Sequence, residues 1–193
     1  MIPNSRVSDL TNGFLLVVVF LAIALPRLWV VSQSVTSDEA KWVDRAAHFS
    51  AALSDGDLAN TYQSEHPGVT TMWAGTLGLR TLFRGYTTED LQALVAGRQV
   101  MVLFNSLALV LIFIYARRLL DLQTSLLALF FSAFSPFFIA LTHLLHLDGL
   151  AGSLMLLSVI AFLSSANQPK KLDLLISGIA AGFAWLTNTP AFI

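Results

Sequence analysis

Residues 13–31 read GFLLVVVFLAIALPRLWVV, and the short polar step SQSVTS that follows leads into Asp38-Glu39. The apolar stretch has the length of a membrane helix, which needs about 20 residues to cross the hydrocarbon. Two carboxylates therefore stand just where such a helix would leave the bilayer. A charge at a membrane boundary is costly if it is buried and idle, so acids in this position are functional candidates by default.

The rest of the chain has the composition to hold them there. Hydrophobic residues make up 55% of the 193 residues and charged residues only 12%, against about 25% charged in soluble domains. Mean hydropathy is +0.70. A polytopic membrane protein is expected. The net charge is −1, and no basic tract points to nucleic acid. The chain has no cysteine, which excludes disulfides, thiol nucleophiles and Cys-based metal sites.

Four further apolar segments follow the first, at Val95–Ala116, Ser125–Leu141, Gly149–Ala166 and Leu172–Leu186. The third could extend through Leu147, and the fifth could run into a returning sixth segment. The expected fold is an all-α polytopic membrane domain covering 1–193, with about five transmembrane helices. The first segment has Arg6 before it, as a signal peptide would. No A-x-A cleavage pattern follows, however, and Pro26-Arg27 continues into more apolar sequence, so a retained helix is favoured. The chain stops inside an apolar stretch at 190–193, so a longer parent protein is expected.

Short-loop Lys and Arg set the orientation. Arg117 and Arg118 lie between segments two and three, and Lys170 and Lys171 between four and five. The turn around Thr142 to Asp148 has neither. The N-terminus and both basic loops are thereby placed in the cytoplasm. The loop at 32–94 and the His143–Asp148 turn are placed outside. Ser37–Leu53 has apolar residues at helical spacing, with Ser37 as a plausible N-cap, and reads as an amphipathic helix on the membrane surface. Asp55-Gly56-Asp57 ends it. A polar turn at Tyr62–Gly68 precedes a second helix at Val69–Phe83, which Gly85 breaks.

Under this topology Asp38, Glu39, Glu65, His66, His143, His146 and Asp148 all reach the outer face, with Arg27 near the outer end of the first helix. Each has a plainer reading. Asp38 could cap a helix, Arg27 could snorkel, Glu65-His66 could be a solvated turn, and the His143/His146 pair could be held by water. Their convergence on one side, from a topology built on Lys and Arg alone, favours a site.

The order of these features resembles the GT-C glycosyltransferases, most closely in type the protein O-mannosyltransferases and the lipid A aminoarabinose transferases. The stretches that carry the resemblance are Pro26-Arg27-Leu28, Ser37-Asp38-Glu39-Ala40, Glu65-His66-Pro67-Gly68 and His146-Leu147-Asp148, with Gly182–Ala191 similar to the segment that ends helix five. They cover nearly all of this chain but only the N-terminal part of a usual family member. Two positions depart from the pattern. Gly68 stands where the family often has a second proline, and Asn188 stands where it often has lysine.

The resemblance implies transfer of a sugar from a polyprenyl-phosphate donor to a lipid, glycan or protein hydroxyl acceptor, with inversion, at the outer face of the inner membrane. Such chemistry needs a general base within hydrogen-bond reach of the hydroxyl. Asp38 is the first choice, with Glu39 and Asp148 as the other catalytic carboxylates and Glu39 the one expected to hold structure or acceptor. A phosphate leaving group calls for cations, donors or a metal. Arg27, Arg98, Asn188, Glu65, His66, His143 and His146 are the substrate-binding candidates. His143 and His146 share a helix face if the helix continues between them, and Glu65 with His146 could then hold a divalent ion. Two other readings remain open: a transporter or channel subunit, which predicts charges at mid-membrane and paired broken helices, and a non-catalytic membrane fragment.

Overall fold

A computed structural model describes residues 5–64, 67–83, 91–167 and 169–189, with side chains of the first helix described from Asn12 onward. The described residues are all-helical. The helices are α1 Ser5–Trp29, α2 Ser37–Asp55, α3 Val69–Thr81, α4 Leu91–Leu119, α5 Leu122–Phe134, α6 Pro136–His143, α7 Leu147–Asn167 and α8 Lys171–Thr187, with a 3₁₀ turn at Ala59–Thr61.

Residues Asn12–Trp29 of α1, α4 and α7 are long and apolar enough to cross a membrane, and α5 with α6 forms a fourth candidate span bent by 65°. The protein is therefore a multi-pass helical membrane protein. Helix α8 is apolar but shorter; at about 1.5 Å per residue its 17 residues fall short of the hydrocarbon thickness.

The bend corrects the expectation of one straight helix over Ser125–Leu141. Ser135 is extended and caps α6 through its hydroxyl, and Pro136 opens α6. Proline has no N–H to give the carbonyl four residues back, so Ser132 O loses its helical donor. Arg27 supplies it. The guanidinium is fully buried and donates to Ser132 O at 3.3 Å, Ala133 O at 3.2 Å, Ile23 O at 2.7 Å and Thr142 Oγ1 at 2.7 Å. Arg27 does not snorkel. It replaces the hydrogen bonding broken at the bend, as non-helical backbone at membrane depth requires.

The surface helices form much where their periodicity places them. The N-cap of α2 is Thr36 rather than Ser37, with Glu39 reaching back to the Thr36 N–H in a capping box. Gly56 closes α2 at φ +70°, a left-handed cap that suits glycine. Helix α3 ends at Thr81; Gly85 lies outside the described residues.

The main core joins α2, α3, α4 and α7: Trp42, Val43 and Phe49 pack with Met72, Met101, Leu147 and Leu150, and Leu145 fills the centre from the α6–α7 turn. A second cluster joins α1, α4 and α5 through Ile23, Leu109, Phe113 and Ala133. A third joins α4, α7 and α8 through Tyr115, Leu157, Ala161 and Ala180. Between α4, α6 and α7 runs a buried polar chain. Asn105 Nδ2 donates to Thr142 O at 3.1 Å, and Ser153 Oγ donates to Asn105 Oδ1 at 2.9 Å.

Glycines set how closely the surface helices approach this core. A Cβ on Gly78 would lie 2.5 Å from the Ala96 carbonyl on α4, so α3 meets α4 backbone to backbone. Gly78→Ala is expected to destabilise the protein by about 1–3 kcal/mol, as overpacking does. Thermal unfolding in detergent measures it. Gly152→Ala is the control: its Cβ would meet nothing within 4 Å, so it should leave the midpoint unchanged or slightly higher.

Candidate functional site

Asp38 and Glu39 are neighbours with opposite fates. Glu39 is fully buried on the core side of the first turn of α2. Its Oε1 accepts from Arg98 Nε at 2.7 Å and from the Leu145 N–H at 3.0 Å. Its Oε2 accepts from Arg98 Nη2 at 2.6 Å and from Thr36 N and Oγ1 at 3.2 and 3.0 Å. Arg98 is equally buried and spends its other donors on Val31 O, Gln33 O and Ser34 O at 2.7, 2.8 and 2.7 Å. Ser34 has φ +38°, a left-handed conformation costly for a residue with a Cβ. The bond from Arg98 to its carbonyl helps hold that turn. Glu39 and Arg98 are thus spent on each other and on backbone groups, where the sequence names Arg98 for the donor and Glu39 as the carboxylate that holds structure or acceptor. Arg27, pinned at the α5–α6 bend, likewise takes no part in the surface cluster.

Asp38 faces outward. Its side chain is more than half exposed and 3.1 Å from Lys41 Nζ. That hydrogen bond, then the Lys41 charge, and more weakly the charges of His146 and Arg45, hold its carboxyl below the usual aspartate range. An exposed pair of this kind contributes little to stability, so Lys41 can leave it at small cost.

His146 lies in the turn between α6 and α7. The helix does not continue through 144–146, so His143 and His146 do not share a face. His143 ends α6, buried, with Nδ1 2.9 Å from Ile139 O. Its Nε2 is buried and has no partner among the described residues. His146 is half-buried, and its Nδ1 is 3.5 Å from Asp148 Oδ2. Asp148 is exposed in the first turn of α7, where the helix dipole favours an acid. Its Oδ1 accepts from Asn188 Nδ2 at 3.3 Å. His146 thus stands between the two exposed carboxylates, in contact with Asp148 and within the electrostatic reach of Asp38.

Two glycines close this turn. A Cβ on Gly149 would collide with Leu141 O, so the end of α6 lies directly on the start of α7. Gly68 has φ +55°, and a Cβ there would strike the Trp42 ring. Its N–H donates to Thr187 O at 3.1 Å. A proline at 68 could neither adopt that φ nor donate that bond. The departure from a double proline therefore fastens the loop before α3 to the end of α8, one residue from Asn188. Asn188 in turn reaches Asp148 with a neutral donor where a lysine would bring a charge.

Glu65 and His66 lie outside the described residues. Among the described residues no group of three His, Asp or Glu is placed to hold one metal ion. The surface cluster is therefore Asp38, Lys41, His146, Asp148 and Asn188. Lys41 had not been expected in it. An Asp and a Lys three apart on a helix are neighbours, so the signal was present in the sequence.

The buried pair gives a pH dependence with a definite sign. Burial pushes the Glu39 carboxyl up, but the Arg98 hydrogen bond, the Leu145 and Thr36 N–H groups and the Arg98 charge together outweigh it. Its folded pKa lies below the ordinary glutamate value of about 4.3. Its stabilisation is therefore fully present above that value and is lost as pH falls through the lower folded pKa. Removing one partner of a buried pair costs about 3–5 kcal/mol, so Glu39→Gln should melt well below wild type at neutral pH. The gap should narrow on acidification below about pH 4. Thermal midpoints of both proteins across that range test it; parallel curves would contradict the assignment.

No curated protein and no solved structure matches this chain. One protein-family model does, described as dolichyl-phosphate-mannose-protein mannosyltransferase, and it matches residues 91–193. That match takes in α4 to α8 and with them Arg98, His146, Asp148 and Asn188. It covers more than half of the 193 residues, and the chain belongs to this family of membrane glycosyltransferases.

Proposed function

We propose that the protein transfers a sugar from a polyprenyl-phosphate donor to a hydroxyl acceptor at the outer face of the inner membrane. Family membership carries this reading. The surface cluster supports it, because exposed carboxylates and a histidine gather at one membrane boundary. A transporter would be expected to keep such groups near mid-membrane.

Asp38 is the general base. Ionised through the neutral range, it is always in the proton-accepting form. The acceptor hydroxyl approaches Asp38, and its proton passes to the carboxylate as its oxygen bonds to the anomeric carbon. The bond from that carbon to the phosphate oxygen breaks on the opposite face, and polyprenyl phosphate leaves. Displacement of Lys41 from Asp38 by the acceptor raises the basicity of the carboxylate as the proton is needed. The freed ammonium is then available to a phosphate oxygen. His146 in its protonated form, held by Asp148, is a second cation for that oxygen. Arg27 and Arg98 are not available for this work, since both are committed to the fold.

The donor's chain has an apolar place to lie. A groove of about 280 Å³ runs between α3, α4, α7 and α8, walled by Trp73, Phe104, Leu111, Leu154 and Phe183. Thr70 lines it too, and the Thr70 hydroxyl is 2.6 Å from that of Thr187, one residue before Asn188. An isoprenoid tail in this groove would bring its phosphate toward Asn188 and the His146–Asp148 pair.

Asp38→Asn keeps the size of the side chain but removes its basicity. Loss of a general base lowers rates by about 10²–10⁴-fold. Sugar transfer from a polyprenyl-phosphate donor, at matched expression of the full-length protein, is expected to fall by that much. Activity within a few-fold of wild type would move the base to Asp148.

Orientation has its own test. The natural chain has no cysteine, so Ser54→Cys places a single thiol on the exposed end of α2. A membrane-impermeant thiol reagent is expected to label it in intact cells. Labelling only after lysis would put α2 and the cluster in the cytoplasm.

A further inference from the structure

A second cavity lies on the far side of Trp73 from the apolar groove. Its volume is about 640 Å³, within the range of about 300–1,000 Å³ usual for small-molecule sites. The end of α2, the 3₁₀ turn and the start of α3 enclose it. Its walls carry the rings of Phe49, Tyr62 and Trp73 beside the polar side chains of Thr61, Gln63 and Ser64. Tyr62 is 73% exposed and Trp73 43%, so neither residue is buried in the core.

The described residues that line the cavity carry aromatic, aliphatic, hydroxyl and amide side chains. The described residues offer no strand edge for an extended peptide to pair with. The chemistry that fits is neutral, hydroxylated and flat on one face. A pyranose ring has those properties: its C–H face lies on an aromatic ring, and its hydroxyls bond to amide and hydroxyl groups. One main-chain hydrogen bond ties the loop that walls the cavity to the end of α8. Pro67 lines it, and the adjoining Gly68 donates to Thr187 O at 3.1 Å, one residue from Asn188 and its bond to Asp148.

We propose that this cavity binds a sugar ring of the acceptor, so that the hydroxyl to be glycosylated belongs to a saccharide. The proposal rests on the transfer reading for the word acceptor, but the binding itself does not. The protein is placed in nanodiscs and titrated with methyl α-mannoside and methyl β-glucoside, observed by saturation-transfer NMR. A neutral serine- and threonine-containing peptide serves as the competing probe. At least one glycoside is expected to bind saturably. Tyr62→Ala should weaken it about tenfold, the loss of one stacking contact. Tyr62→Phe, which keeps the ring, should bind as wild type, and so should Asp38→Asn, which spares the cavity.

Binding that survives Tyr62→Ala, the absence of saturable glycoside binding, or displacement of the glycoside by the peptide would each overturn the proposal. Glycoside binding that passes these tests in a protein without transfer activity would leave the cavity assigned and the transfer reading refuted. Intact transfer with no glycoside binding would do the reverse.

Discussion

The candidate site depends on one buried ion pair whose polar atoms are bonded within the fold. Arg98 and Glu39 meet in full burial, and between them they engage the α1–α2 link, the start of α2, the middle of the fold on α4 and the α6–α7 turn. A buried charge left unpaired is very costly, so the four segments are held in one arrangement. Because Glu39 is fixed inward, its neighbour Asp38 is fixed outward. Because Leu145 N–H is fixed on Glu39, His146 is carried to the outer surface one residue later. The pair decides where the exposed groups of the candidate site stand.

A second buried arginine does the same for the other wall. The Ser135-Pro136 break bends the third membrane segment by 65°, which would leave carbonyls unsatisfied at a depth where water cannot reach them. Arg27 reaches them from α1. The bend sets the direction of α6, and the polar chain Thr142–Asn105–Ser153 then fixes α6 against α4 and α7. The α6–α7 turn, with His146 and Asp148 on it, is thus located by one arginine at each end: Arg98 through Glu39 and Arg27 through Thr142.

Much of this was legible in the sequence, though not the division of labour. Periodicity placed α2 and α3 within a few residues, since an amphipathic helix repeats its pattern locally. The membrane segments were legible from length and apolarity. The bend was masked because apolar residues flank Ser135-Pro136 on both sides, and hydropathy does not register a missing N–H. Asp38 and Glu39 are separable by reading, since they point to different sides of one helical turn, but the partner of Glu39 is not, because Arg98 lies 59 residues away. Both buried arginines looked like phosphate ligands for the same reason. A cation near a membrane boundary reads alike whether it faces a substrate or a carbonyl. The spacing of His143 and His146 misled because it assumed a helix that ends at His143.

Once both arginines are committed, the electrostatics of the exposed cluster change character. Among the described residues the groups left around the cluster are two exposed carboxylates, one ammonium and one histidine, and Asn188 adds a neutral donor. Arg45 is close enough for its charge to reach Asp38, but its guanidinium lies over the Trp42 ring at 4.6 Å. In the transfer reading a departing phosphate therefore meets the side chains of Lys41 and His146 instead of a rigid guanidinium clamp. Lys41 is tethered only by an exposed bond to Asp38, and His146 carries a charge only when protonated. In the transfer reading Asp38 must be free to take a proton, so Lys41 must leave it. The carboxylate of Asp148 lies 3.5 Å from the His146 ring and, with its other oxygen on Asn188, keeps that ring beside the cluster.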